Sequence, residues 1–127
     1  MHAKLPPWVE FGSLTMAFSA GCVNINAVSG LVHIASTHQT GNVTSLLLAL
    51  SQGNTAQALR LSLVILAFLA GTIASGWIIR GYHLKLGRRY GVSIILQAGC
   101  IAAALLLSYR DSYLPVILLA ASAGLQN

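Results

Sequence analysis

Apolar residues fall in long, nearly unbroken runs, and polar residues cluster between the runs instead of alternating within them. Three stretches, Phe11 to Leu31, Leu61 to Ile79 and Tyr90 to Tyr109, come close to the roughly 20 apolar residues that a helix needs to cross a bilayer. A fourth begins near Leu114. Trp8 follows a kinked, basic entry of Lys4, Pro6 and Pro7, where an interfacial anchor belongs. The pattern predicts an all-α, polytopic helical membrane protein with about three full spans, a broken or re-entrant helix and the start of a further span. Residues 1–127 read as a single membrane domain.

The break in the pattern is its most informative part. Between Glu10 and Arg60 there is no Asp, Glu, Lys or Arg, yet the middle reads His33-Ile34-Ala35-Ser36-Thr37-His38-Gln39-Thr40-Gly41-Asn42-Val43-Thr44-Ser45. Lipid does not tolerate unpaired backbone, so a polar, glycine-bearing break at membrane depth must be buried in protein or line a wet cavity. The apolar remainder from Val43 to Leu50 covers about 12 Å as a helix, too short to cross alone. Ser51-Gln52-Gly53-Asn54-Thr55 then closes it as a turn.

Residues 36–51 therefore form either a re-entrant half-helix or the second half of a broken crossing that began near Leu31. In the re-entrant form Lys4, Arg80, Lys85, Arg88 and Arg89 share one side against Arg60 and Arg110, five against two. A full crossing moves Lys4 and leaves four against three. The positive-inside bias favours the re-entrant form modestly, and both remain open.

Composition agrees with lipid as the solvent. The 127 residues are 56% hydrophobic and 7% charged, whereas soluble domains carry about 25% charged residues. Four of the seven basic side chains behind the net charge of +5 lie in the Arg80 to Arg89 loop, which reads as a cytoplasmic loop and not as a nucleic-acid surface. Cys22 and Cys100 lie in apolar runs without disulfide or zinc spacing. Ser19-Ala20-Gly21-Cys22 resembles a lipoprotein cleavage box, but Ser19 and Glu10 both depart from that pattern. Ala67, Gly71 and Ser75, and again Gly99 with Ala103, recur every fourth residue, a spacing that lets helix backbones pack closely.

Chemistry concentrates at the break. Gly41 can take a backbone conformation closed to other residues, and Asn42 is a favoured N-cap for the short helix that follows. Free N–H groups at such a helix start, with its partial positive charge, make an anion-binding site. The candidate solute-binding residues are His38, Thr40, Gly41, Asn42 and Thr44, with Asn24 and Asn26 from the first span. The competing explanation, that these groups only cap the helix and satisfy one another, accounts fully for Asn42 but not for so long a polar stretch. His33 and His38 are the candidate proton-coupling residues. Two histidines five residues apart, with no acid or cysteine beside them, do not define a metal site, and no cofactor motif is present. No acidic orienter completes a nucleophile and base pair, so the chain does not read as an enzyme. Asn42-Val43-Thr44 matches a glycosylation sequon, which has no use inside a membrane-embedded turn.

Ala17 to Asn24 aligns with Ala120 to Asn127 at five of eight positions. The alignment predicts a first repeat over about residues 9–112 and the start of a second over 113–127. Because the second copy ends at Asn127, a partner half, supplied as a missing C-terminal part or by a homo-oligomer, is expected, and the chain alone is expected to be inactive as a fragment. An odd number of crossings per repeat gives an inverted repeat, an arrangement used by many alternating-access transporters.

The Ala20-Gly21 entry with Asn24, the Thr37-His38-Gln39-Thr40-Gly41-Asn42-Val43-Thr44 element and the Ala123-Gly124-Leu125-Gln126-Asn127 end resemble the YoaK-like family of bacterial multi-pass membrane proteins, domain of unknown function 1275. The resemblance covers the whole chain, with His-x-Thr-Gly-Asn its most specific part. It implies location in the bacterial cytoplasmic (inner) membrane and a family of about six predicted spans without an assigned biochemical function. The resemblance implies an acidic residue near the place of Asn24 in many relatives, and its absence here argues against a carboxylate-dependent role. The expected function is a permease for a small polar or anionic solute; the alternative is a membrane assembly or interaction protein.

Overall fold

A computed structural model describes residues 6–26, 36–80, 88–109 and 113–127. These form five helices and no strand: α1 Pro7–Asn26, α2 Gln39–Ser51, α3 Thr55–Ile79, α4 Arg88–Leu107 and α5 Leu114–Gln126. The all-α class, the end of α3 at Ile79 and the start of α5 at Leu114 agree with the hydropathy pattern, whereas α3 begins six residues before Leu61 and α4 two before Tyr90. The part of the first predicted span beyond Asn26, and most of the basic loop before Arg88, lie outside the described residues.

The turn between α2 and α3 follows from its residues. Gly53 adopts φ 69°, a left-handed conformation that suits glycine. Asn54 then caps α3, its Oδ1 accepting from Gln57 N–H at 3.1 Å. The reversal lays α2 antiparallel along the first half of α3, where Leu46 and Ala49 pack with Ala58, Leu61 and Val64. Pro115 occupies the start of α5, where its missing N–H costs nothing.

The shortest apolar helix lies at the centre. Val116, Leu119, Ala120, Ser122, Ala123, Gly124 and Leu125 of α5 are all buried between α3 and α4. Val116 and Ala120 share a core with Leu61 and Val64 of α3, whereas Leu119 packs with Ala104 of α4 and Val23 of α1. Arg60 lies over the Tyr113 ring at 4.2 Å, so the N-terminal ends of α3 and α5 coincide and the two helices run parallel. At the other end the Ser93 hydroxyl donates to Leu125 O at 3.1 Å, which sets α4 antiparallel to both. Gln126 Nε2 donates to Met16 O at 3.1 Å, and Val23 lies level with Leu119. α1 therefore runs antiparallel to α5, with its N-terminal end beside that of α4.

One of the two small-residue stripes packs as its spacing predicts. A Cβ on Gly71 would collide with Ala121 O, and one on Gly124 with Phe68 O, so α3 and α5 touch backbone to backbone. The other stripe does not. Gly99 is exposed with nothing within 4 Å of a Cβ, because α4 turns Ser93, Gln97 and Ala104 to its neighbours instead. Polar side chains along that face tie the bundle: Ser75 and Ser93 hydroxyls lie 3.3 Å apart, and Gln97 Nε2 donates to Gln126 Oε1 at 3.0 Å.

Among the described residues one helix, Thr55–Ile79, is both long and apolar enough to cross a membrane, and Gly91–Leu107 and Leu114–Gln126 are shorter apolar helices. Large apolar side chains cover the outside, including Phe18 at 76% exposure, Trp77 at 77% and Leu106 at 75%.

Candidate functional site

The polar break converges on the start of α2. Asn24, two residues before the end of α1, accepts at Oδ1 from Thr37 N–H at 3.3 Å. This bond ties the end of α1 to the approach of α2 across thirteen positions of chain. Gln39, the first residue of α2, donates from Nε2 to Ser36 O at 2.8 Å, and Asn42 Nδ2 donates to Gln39 Oε1 at 3.4 Å. Asn42 is buried on the same helix face as Leu46 and Ala49, so it faces α3. Ser36 is fully buried and its Oγ has no hydrogen-bond partner.

Two expectations about this segment are corrected. Asn42 is not the N-cap: its N–H already bonds to His38 O at 3.2 Å, and the helix starts at Gln39 with His38 in the capping position and no side-chain cap. The reason is upstream, because Gln39 and Asn24 hold Ser36 and Thr37 and allow helical bonding to begin a turn earlier than Asn42. Gly41 does not interrupt the helix either. It lies in the first turn of α2, and the positive-φ glycine among the described residues is Gly53. Among the described residues of this segment, Ser36 to His38 are non-helical.

The other predicted site residues are distributed unevenly. His38, Thr40, Gly41 and Thr44 are exposed, and the Thr44 hydroxyl donates to Thr40 O of its own helix at 3.1 Å. Asn26 ends α1, its side chain lies outside the described residues, and so does His33 altogether. The structure thus brings Asn24 and Asn42 to one locus and leaves His38, Thr40 and Thr44 on its outer side. Sequence reasoning missed Ser36 and Gln39. Gln39 stands inside the His-x-Thr-Gly-Asn element, and Ser36 opens the polar run, so position alone marked both.

Among the described residues these features define an all-α protein with one helix fit to cross a membrane and a polar helix start packed against it. The chain belongs to the family described as Protein of unknown function (DUF1275), whose model matches residues 12–127. No curated protein and no solved structure matches it.

Proposed function

We propose that this chain is a multi-pass protein of the bacterial inner membrane and acts as a permease for a small polar or anionic solute, held at the start of α2. The membrane reading is supported by α3, whose most apolar window is only 17% buried inside the protein. A core helix of a soluble protein hides such a surface, and an apolar exterior of this extent has lipid as its natural solvent.

The observation that carries the solute site is the depth of the break. α2 has 13 residues and runs back from the Thr55 end of α3, so its first turn lies about 20 Å along a 25-residue helix, near the middle. A helix N-terminus there presents backbone donors at the midplane, as broken helices do in many secondary transporters. Asn24, Ser36, Gln39 and Asn42 line it, and none of them carries a charge. The first halves of α1 and α4 meet the same end of α5, through Met16 and Ser93, and this supports the re-entrant topology.

The test is uptake of small anions and neutral polar solutes into proteoliposomes. Saturable uptake that falls at least about tenfold in an Asn24→Ala variant of unchanged fold supports the reading, since that change removes a bond holding the break. Absence of uptake by the chain alone agrees with the expected need for a partner half; absence of uptake by both this chain and a longer member of the family, each folded and inserted, refutes it. An assembly role draws on a separate observation, the open space over Gly21 and Gly99 on the outer faces of α1 and α4. Copurification of a stoichiometric membrane partner without flux is its signature.

A further inference from the structure

The start of α2 has hydrogen-bond donors to spare and no Asp, Glu, Lys or Arg to go with them. Of its first N–H groups, that of Gln39 reaches Thr37 O and that of Asn42 reaches His38 O, each at 3.2 Å. Those of Thr40 and Gly41 fall in the first turn, where a helix supplies no acceptor of its own. Ser36 adds a hydroxyl that is fully buried and unpartnered. Its carbonyl is fastened to the first turn by Gln39 Nε2 at 2.8 Å, so Ser36 itself is held beside the helix start.

Three nearby acceptors are already engaged. Asn24 Oδ1 takes Thr37 N–H, Gln39 Oε1 takes Asn42 Nδ2, and Ser36 O takes Gln39 Nε2. The first-turn N–H groups and the Ser36 hydroxyl can still donate, and the helix dipole adds about half a positive charge at this end. From Phe11 to Leu59 the chain holds no Asp, Glu, Lys or Arg, so with His33 and His38 neutral no side chain of this part adds a full charge.

We propose that the site takes a monovalent anion, such as a halide, nitrate or formate, and discriminates against divalent anions and cations. A single negative charge is matched by the helix end and the free hydroxyl. A second charge would be buried without compensation, and the Ser36 oxygen alone cannot strip a cation of its water. This inference rests on the reading of the α2 start as the solute site and names its substrate class.

The test uses the 127-residue protein in lipid nanodiscs, titrated calorimetrically with sodium chloride, nitrate, formate or sulfate in a gluconate background of fixed ionic strength. Saturable binding of at least one of the three monovalent anions, with sulfate at least about tenfold weaker, is expected. Ser36→Ala should weaken that binding about tenfold or more while leaving the ligand-free protein at least as thermally stable, since it removes an orphaned buried hydroxyl. Sulfate binding as tightly as the monovalent anions, no anion binding at all, or unchanged affinity in Ser36→Ala overturns the proposal. Flux of a neutral solute without anion binding overturns it and leaves the permease reading standing. Anion binding without flux, in this chain and in the longer family member alike, supports the site and overturns the permease.

Discussion

Gly71 and Gly124 face each other across the α3–α5 contact with no room for a side chain on either. A Cβ at Gly71 would also come within 3.0 Å of Leu125 N, and one at Gly124 within 2.9 Å of Thr72 N, so each glycine meets the other helix's backbone. Backbone cannot rotate out of the way as a side chain can. The reciprocal contact explains how α5 is sunk deeply enough to bury nearly all its length between two neighbours.

Gly71→Ala or Gly124→Ala should therefore destabilise the protein by about 1–3 kcal/mol or more, as overpacking forces the helices apart. Gly21→Ala and Gly99→Ala, where nothing lies within 4 Å of a new Cβ, should be neutral or stabilising by up to about 1 kcal/mol from helix propensity. Unfolding of the four variants in matched detergent micelles separates the two pairs. Equal behaviour of Gly71 and Gly99 would mean that α3 and α5 do not touch here.

The Ser75 and Ser93 hydroxyls lie 3.3 Å apart in a buried position, with Ser93 also bonded to Leu125 O. Such interhelical bonds contribute little each in membrane proteins, and a double-mutant cycle with alanine at both positions should give a coupling of about 0.6 kcal/mol. A coupling indistinguishable from zero would place the Ser93 bond to Leu125 O as the sole contribution.

Much of this arrangement was legible in the chain. Hydropathy located the later helices because lipid-scale apolar runs leave few alternatives, and the spacing of Ala67, Gly71 and Ser75 named the packing face of α3. The same logic failed at Gly99. Small-residue spacing reports that close approach is sterically allowed, and only the neighbouring helix decides whether it is used. The site shows a related limit. Asn42 has the right chemistry for an N-cap, but the start of α2 is set by long-range partners, Asn24 at Thr37 and Gln39 at Ser36, which no local pattern encodes.

Asn54 is a cap of the ordinary kind, accepting from Gln57 N–H at 3.1 Å and donating from Nδ2 to Gln57 Oε1 at 3.1 Å. Asn54→Ala should cost about 1 kcal/mol, whereas Asn54→Ser should recover most of it. Thermal unfolding of the pair checks this. A neutral Asn54→Ala variant would show that the start of α3 is held by packing of Ala58 and Leu61 alone.

The last prediction concerns which ends of the bundle share a side of the membrane. Met16 and Ser93 both lie against the last turn of α5, through Gln126 and Leu125, so the beginnings of α1 and α4 stand together. The turn at Gln52 and Gly53 stands at the opposite end, with Arg60 and Tyr113. On the proposed topology, the basic segment before α4 marks the cytoplasmic end. After Cys22 and Cys100 are replaced by Ser, Ala3→Cys and Gly87→Cys should react with an impermeant maleimide only in permeabilised cells, and Gln52→Cys should react in intact ones. Opposite accessibility of positions 3 and 87 would mean that α1 crosses in the other direction, with residues 36–51 completing a crossing of their own. That result would remove the half-depth helix start on which the solute site depends.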